Sequence, residues 1–221
     1  MTMTHSTQNL DVQCLCGKLR GIAKDVSARH INHCVCYCDD CQMFAHFLDQ
    51  AERVLDNYGG TQIFQMSPRH FEITTGQQHL ACVRLRPKGL YRWFAQCCNT
   101  PLANSLTPNI PFIGLINPVL QQATEANVGP VKLRIYGRFA RGDASSVGAH
   151  PKAPILGILA ALGRLLGNRL RGDNKRNALF DPESGQPRVK PQTLTIDELE
   201  QLIQIQQQWV AATPTSSVDA Y

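Results

Sequence analysis

The clustering of its cysteines constrains this chain more than any other feature of the sequence. Nine cysteines occur in 221 residues: six in two groups near the N-terminus, two adjacent ones far downstream, and one alone. They are Cys14, Cys16, Cys34, Cys36, Cys38, Cys41, Cys82, Cys97 and Cys98. This share, about 4% of the chain, is far below the roughly 8–10% of a disulfide scaffold. We expect thiols of a reducing cytosol, where clustered cysteines more often bind metal or react.

The spacing of the cysteines indicates which of them can share one ion. Two residues apart on a strand, as Cys14 and Cys16 are, side chains point to the same face about 6.6 Å apart, and a local kink brings both thiolates to one zinc. Cys38 and Cys41 have the CxxC spacing of zinc knuckles and redox pairs. In an extended strand Cys34 would lie about 13 Å from Cys38. We therefore separate Cys34 from a predicted metal-binding trio: Cys36, Cys38 and Cys41.

The first 140 residues predict a small, mostly antiparallel β domain with one helix. Val12–Ala23 and residues 31–38 favour extended structure, and apolar residues at three- and four-residue spacing predict a helix over Gln42–Asp56. Punctuation by glycine and proline predicts short strands and hairpins further along. The candidate strands are Thr61–Gln65, His70–Thr74, Leu80–Leu85, Leu90–Gln96, Phe112–Ile116 and Val131–Phe139.

The last third of the chain predicts a basic helical extension. A leucine-rich stripe predicts a helix over Ile155–Leu170, and we expect that stripe to pack on the core or on a partner subunit. Thr195 and Glu198 fit a capping box at the start of a helix reaching about Val210. The eight basic and three acidic residues of the segment 150–192 carry the whole net charge of +5. We divide the chain into a loose tail (1–10), a zinc-binding β domain (11–142) and this extension (143–221).

Composition excludes several classes of protein. With 43% hydrophobic and 18% charged residues the chain is an ordinary globular one. The longest unbroken apolar run, Ile155–Gly163, is too short for a transmembrane helix, and no export signal is visible. We therefore expect a cytoplasmic protein. Because aromatic residues are absent around the basic residues until Phe180, we do not expect nucleic-acid binding. We do not expect binding to a membrane surface either, because a leucine stripe of this kind more often packs on protein.

Three motifs together resemble one known superfamily. They are Cys14-Leu15-Cys16-Gly17, then Cys36-Tyr37-Cys38-Asp39-Asp40-Cys41, and finally Phe94-Ala95-Gln96-Cys97-Cys98-Asn99-Thr100-Pro101-Leu102. In this order they resemble the glutathione-dependent formaldehyde-activating enzyme and centromere protein V superfamily, and specifically an uncharacterised bacterial branch of it. The resemblance covers roughly residues 10–140.

The resemblance implies a zinc-stapled antiparallel β fold of the Mss-four type with two zinc ions. Cys14, Cys16 and Cys98 match ligands of a structural zinc, whereas Cys36, Cys38 and Cys41 match a catalytic trio that leaves one coordination position open for a substrate thiol. The superfamily's remaining structural ligand aligns with Ala95, which cannot bind metal. Cys97, Cys34 or a histidine such as His33 are the alternatives for that fourth position, and Cys97 could serve only where the backbone turns sharply.

These observations support two hypotheses about function. The first is a zinc enzyme acting on a small-molecule thiol adduct, of the carbon–sulfur lyase type, with glutathione-like chemistry. The second is a non-catalytic zinc protein whose clusters are structural and whose basic extension binds a partner. His46, on the predicted helix after the trio, is the histidine best placed to assist catalysis, although a polar residue on a solvated helix face is the simpler interpretation.

Overall fold

The protein is described here from a computed structural model covering residues 7–212. It contains eleven strands: Gln8–Gln13 (β1), Arg20–Val26 (β2), Asn32–Cys36 (β3), Thr61–Met66 (β4), Phe71–Thr75 (β5), Leu80–Arg84 (β6), Tyr91–Ala95 (β7), Thr100–Ser105 (β8), Ile113–Ile116 (β9), Leu133–Ile135 (β10) and Gln192–Thr193 (β11). Its α-helices are Asp39–Phe47 (α1), Ala51–Val54 (α2), Glu125–Val128 (α3), Ile155–Leu170 (α4) and Ile196–Ala211 (α5). The predicted mainly-β, α+β class is confirmed.

The strands form two sheets. The smaller has the order β1-β2-β5, and the larger has the order β10-β3-β4-β9-β8-β7-β6-β11. Pairing is antiparallel except at the two edges of the larger sheet, where β10 runs parallel to β3 and β11 runs parallel to β6. The largest hydrophobic cluster joins the two sheets, because Val12 of β1 and Phe71 of β5 pack with Trp93, Leu102 and Ile113 of the larger sheet.

Two local predictions need correction. The predicted strand over Val12–Ala23 is a hairpin, because β1 ends at Gln13 and β2 begins at Arg20, so the first cysteine pair lies in the connecting turn. The predicted helix over Gln42–Asp56 begins earlier, at Asp39, and is interrupted after Leu48, since Asp49 adopts a left-handed backbone (φ 55°) that no α-helix tolerates.

Parts of the predicted tail and of the predicted extension belong to the sheets or to the hydrophobic core. β1 begins at Gln8, so part of the predicted tail belongs to a strand, while its residues 1–6 lie outside the described residues. Further on, Leu179 and Phe180 join the largest hydrophobic cluster and β11 extends the larger sheet. Parts of the predicted extension therefore pack with the β domain, and the division of the chain at residue 143 stays a prediction. Residues 213–221 lie outside the described residues.

The C-terminal helix is built as its sequence predicts. Thr195 and Glu198 form the capping box at the start of α5, each side chain bonding the other residue's backbone. The helix packs against α1 in a second apolar cluster, and Gln206 Nε2 donates to Gln42 Oε1 at 2.6 Å across that contact. This packing holds α1 in place, and with it the cysteines at its N-terminus.

Helix α4 has an unexpected orientation. Its predicted bounds are confirmed, yet none of its residues is fully buried, and Leu156 and Leu170 are 81% and 79% exposed. The expectation that its leucine stripe packs on the chain's own core is therefore wrong; packing on a partner subunit stays a prediction. No helix within residues 7–212 combines the length and the apolar character needed to cross a membrane.

Candidate metal centres

Four cysteines from two distant turns meet at one point; we call them the four-thiol group. Cys14 and Cys16 lie in the turn after β1, and Cys97 and Cys98 lie in the turn between β7 and β8. Their sulfur atoms all lie within 4.8 Å of one another. The Cys16–Cys97 sulfur pair is 3.3 Å apart, Cys14–Cys16 is 3.6 Å, and Cys14–Cys97 and Cys97–Cys98 are each 3.8 Å.

These sulfur–sulfur distances match those expected around one bound metal ion. Four sulfurs bound tetrahedrally to zinc at about 2.3 Å lie about 3.8 Å from one another. A disulfide would require about 2.05 Å, and all nine cysteines are free thiols. The four-thiol group could therefore hold one metal ion.

Two left-handed backbone positions aim these thiols at a common point. Gly17 follows the first cysteine pair with φ 75°, and Asn99 follows the second with φ 51°. The resulting sharp turn between β7 and β8 meets the condition under which adjacent cysteines can share one ion. It brings Cys97 into the group at the fourth position, where the sequence had left three alternatives.

A single threonine connects the two turns. Thr100 Oγ1 accepts a hydrogen bond from the Leu15 backbone N–H at 3.0 Å and lies 3.0 Å from Cys98 Sγ. Burial alone would raise the pKa of Cys98, but hydrogen bonds from Thr100 and from the Cys16 backbone lower it to about 6. The group thus favours a thiolate at Cys98, which is the form that binds metal.

The other candidates for the fourth position lie elsewhere. Cys34 is buried on β3, where desolvation raises the pKa of its thiol to about 12. His33 packs its ring on Phe64, and its Nδ1 lies 3.0 Å from the Gly129 carbonyl oxygen. Neither residue belongs to the four-thiol group.

The predicted trio also converges; we call it the three-thiol group. Cys36 ends β3, Cys38 directly precedes α1, and Cys41 lies in the first turn of that helix. Their sulfurs lie within 4.8 Å of one another, and the backbone N–H of Cys41 donates to the Cys38 carbonyl at 3.0 Å. Cys36 and Cys41 are buried and Cys38 is half-buried. This group too could hold a metal ion.

A buried arginine faces the three-thiol group. Arg92 on β7 is 1% exposed, and its Nη1 lies 4.0 Å from Cys41 Sγ and donates to Asn104 Oδ1 at 3.2 Å. Its Nη2 lies 3.5 Å from an oxygen of Asp40, whose other oxygen pairs with Arg86. A buried charge is costly unless it is paired. Negative charge on the neighbouring thiols would therefore stabilise this guanidinium, as Asp40 does.

The electrostatics of Cys41 agree with that requirement, whereas hydrogen bonding with Cys38 raises the pKa of Cys36. Hydrogen bonds from Cys36 and Cys38 hold the pKa of Cys41 well below its usual value, and Arg92 acts in the same direction against burial. For Arg92 itself, burial lowers the pKa, but the charges of Cys41 and Asp40 outweigh it and the net pKa is raised. A cation and a thiolate therefore stabilise each other here.

The sequence did not indicate a role for Arg92, and it did not predict which residues surround His46. No local pattern marks Arg92, because its partners Asp40, Cys41 and Asn104 come from other parts of the chain and meet only in the folded sheet. His46 lies on α1 with its ring 5.4 Å from that of Trp209 on α5, and burial lowers its pKa. Its packing partner is thus α5.

Comparison with protein-family models gives one family. Residues 6–189 match the model described as a family of unknown function, DUF6151. The chain belongs to this family. A search of curated proteins finds no match to this DUF6151 member.

Solved structures give a weak similarity. One of them is the crystal structure of a Rhodobacter sphaeroides protein from a structural genomics programme, with 12% identity and a TM-score of 0.37. The match covers 55% of the DUF6151 chain and 96% of the other. Neither comparison names the formaldehyde-activating superfamily, so that resemblance stays a prediction based on the motifs.

Proposed function

We propose that this DUF6151 protein is a zinc protein in which the four-thiol group holds a structural zinc ion and the three-thiol group holds a second one. The donor set supports zinc, because clusters made only of thiolates suit zinc, copper(I) or iron–sulfur centres, and tetrahedral sulfur geometry is common in structural zinc sites. A reducing cytosol would keep the thiols free to bind it.

The difference in donor number supports a further role for the three-thiol group. Within residues 7–212 it gathers three possible ligands, whereas the other group gathers four. Three protein ligands and one open position form the usual arrangement of a catalytic zinc. We therefore assign to this group the binding of a small-molecule thiol adduct, and to the protein a carbon–sulfur lyase type of activity.

The chemistry of such a reaction is simple to balance. In a hydroxymethyl thioether of glutathione, the C–S bond breaks with its electron pair going to sulfur, and loss of the hydroxyl proton leaves formaldehyde. When bound, zinc supplies Lewis acidity that favours the thiolate product. The chain's own part is electrostatic: Arg92 offsets the negative charge of the thiolates, and Asp40 orients Arg92.

One observation favours the second candidate, a non-catalytic zinc protein with a partner-binding surface. Two clefts of the described residues, of about 780 Å³ and about 420 Å³, are lined by other side chains, and no cysteine lines either of them. If both ions are fully coordinated, the metal contributes folding free energy alone.

Cobalt(II) substitution distinguishes the two candidates. We expect the thiolate-to-cobalt absorption of the wild-type protein to increase and shift when glutathione is added, because a further sulfur enters the three-thiol site. Cys38→Ser, which removes a ligand of that site alone, should abolish the change. A wild-type spectrum insensitive to glutathione would exclude the open site and leave the structural role.

A turnover assay complements the spectra. Formaldehyde exchange with glutathione, followed by NMR line broadening, should be faster with wild-type protein than with Cys38→Ser at equal concentration. If glutathione enters the cobalt site but exchange is not accelerated, thiol binding is supported and lyase activity is refuted.

A further inference from the structure

A cavity of about 780 Å³ lies between α4 and one end of the larger sheet. Its floor includes Asn32 where β3 begins, Met66 where β4 ends, and Phe112 just before β9. Its volume falls within the range of about 300–1,000 Å³ typical of small-molecule sites. Because β3 runs from Asn32 to Cys36, the cavity and the three-thiol group lie at opposite ends of that strand.

The composition of α4 explains why space remains beneath it. The side of the helix that lines the cavity is built largely from small residues, whereas every leucine of the helix except Leu165 is exposed. The small lining residues are Gly157, Ala160, Ala161, Gly163 and Gly167. An ordinary amphipathic helix would turn its large apolar side chains inward and fill this volume.

The polar part of the lining is strongly basic. Arg29, Arg69, Arg164 and Arg171 all line the cavity, and no Asp or Glu within residues 7–212 does so. Asp173, buried just outside it, lies 3.7 Å from Arg69 and from Arg171 and balances part of their charge.

Two of these arginines have no carboxylate partner in the described part of the chain. Neither Arg29 nor Arg164 forms an ion pair within residues 7–212, and both side chains border the same cavity. These two arginines therefore leave an excess of positive charge at the cavity, and this charge attracts anions. Guanidinium groups bind carboxylate and phosphate oxygens in pairs of hydrogen bonds.

The rest of the lining is both polar and apolar. Met66, Leu106, Phe112, Leu133 and Leu165 provide hydrocarbon and aromatic surface. The other polar lining residues are His30, Asn32, Gln65, Ser67, His70 and Asn168. Apolar surface beside convergent polar groups is characteristic of ligand pockets.

We infer that the cavity beneath α4 binds an organic anion with an apolar chain, its carboxylate or phosphate group held by Arg29 and Arg164 and its chain lying against Phe112 and Leu133. This site is separate from both thiol groups and does not depend on the function proposed for them. The exposed leucines of α4 form a different surface, and the experiment must distinguish the two.

Octyl phosphate, kept below its micelle concentration, is a suitable probe for isothermal titration calorimetry on the full-length protein as purified under reductant. We expect saturable binding of one equivalent and weaker binding of 1-octanol. Arg29→Gln combined with Arg164→Gln should raise the Kd at least about tenfold, because two charge-assisted contacts are lost. The matched control is Arg169→Gln, an exposed arginine of the same helix outside the cavity, which should leave the Kd unchanged.

Two further variants locate the binding. Ala161→Phe fills the cavity and should abolish binding, whereas Leu162→Gln alters the exposed leucine surface and should leave it unchanged. Metal content, unchanged in all variants, shows that the thiol groups are intact. If Ala161→Phe fails to fold, the double arginine variant and its control still decide the question.

The inference is overturned if octyl phosphate shows no saturable binding, or if Leu162→Gln weakens binding while the arginine pair does not. Parallel sedimentation with phosphatidate vesicles separates the two sources of a phosphate head group. If the arginine pair controls calorimetric binding and vesicles do not bind, the ligand is a free amphiphile. If calorimetry shows no binding, and vesicle binding is weakened by Leu162→Gln but not by Ala161→Phe, recognition lies on the leucine surface and the cavity site is refuted.

Discussion

The two thiol groups of this protein differ in what they connect. The four-thiol group joins the turn after β1 to the turn between β7 and β8, and thereby ties the smaller sheet to the larger one. The three-thiol group lies within six consecutive residues at a strand–helix junction. A metal in the first would cross-link distant parts of the fold, whereas a metal in the second would change little of the chain's connectivity.

The groups also differ in how they stabilise thiolates. At the four-thiol group, where Cys16 is exposed, hydroxyl and backbone hydrogen bonds lower the pKa of Cys98. At the three-thiol group, which is largely buried, Arg92 supplies a full positive charge. The comparison teaches that both groups stabilise a thiolate with neutral hydrogen-bond donors and that the buried group adds a counter-charge.

The largest expected effect comes from opening the long cross-link. Cys14→Ser combined with Cys16→Ser removes both thiols on one side of the cross-link. It should lower the free energy of unfolding by about 4.5 kcal/mol, the chain-entropy value for a loop of about 85 residues, since a metal clip acts on the unfolded chain as a disulfide does. Denaturant unfolding of zinc-loaded protein measures it. A loss below about 1 kcal/mol would mean that the four-thiol group does not cross-link the sheets.

Removing the counter-charge should have the next largest effect. Arg92→Gln should cost about 3 kcal/mol, because it leaves buried thiolates without their cation, and should weaken metal binding at the three-thiol group about 10–100-fold. Competition with a chelator measures the affinity. Arg86→Gln, which removes the more exposed partner of Asp40, is the matched control and should change both quantities only slightly; equal effects would contradict the role assigned to Arg92.

Opening the short cross-link should cost less than opening the long one. Cys38→Ser should lower the free energy of unfolding by about 2 kcal/mol, the value for a loop of about six residues. Comparison with the Cys14→Ser/Cys16→Ser double variant in the same denaturant series checks the ratio of the two losses. Should Cys38→Ser prove the more destabilising of the two, the three-thiol group would be the main structural site and the comparison would reverse.

The smallest expected loss of stability comes from removing the Thr100 hydroxyl, the neutral donor of the four-thiol group. Thr100→Val keeps the shape of a fully buried side chain but removes the hydrogen bond to Leu15 and the contact with Cys98. We expect a loss of about 1 kcal/mol and a slower reaction of the metal-free protein with a thiol reagent, because the pKa of Cys98 rises. No change in either quantity would show that Thr100 has no part in the four-thiol group.

Local structure was predictable where one short segment determines it. The spacing of Cys36, Cys38 and Cys41 predicts their convergence, because a strand end followed by a helix start places residues of this spacing on one side. The capping box at Thr195 and the bounds of α4 follow from local patterns in the same way. The break at Asp49 was not predictable from apolar spacing, since that pattern continues through it.

Features that need distant partners were not predictable. Which residue joins Cys14, Cys16 and Cys98 depends on the turn between β7 and β8, and the alternatives could not be separated from sequence. Arg92 meets its partners only through the register of the larger sheet. The inward face of α4 was predicted wrongly because the periodicity of leucines gives the orientation of a stripe within a helix, but not which side the fold covers.

Counting bound zinc by native mass spectrometry tests the central claim most directly. We predict two zinc ions in the wild-type protein, one in the Cys14→Ser/Cys16→Ser double variant and one in Cys38→Ser, each lost from a different group. A wild-type protein with a single zinc whose number is unchanged in Cys38→Ser, or one without zinc after preparation under reductant, would contradict it.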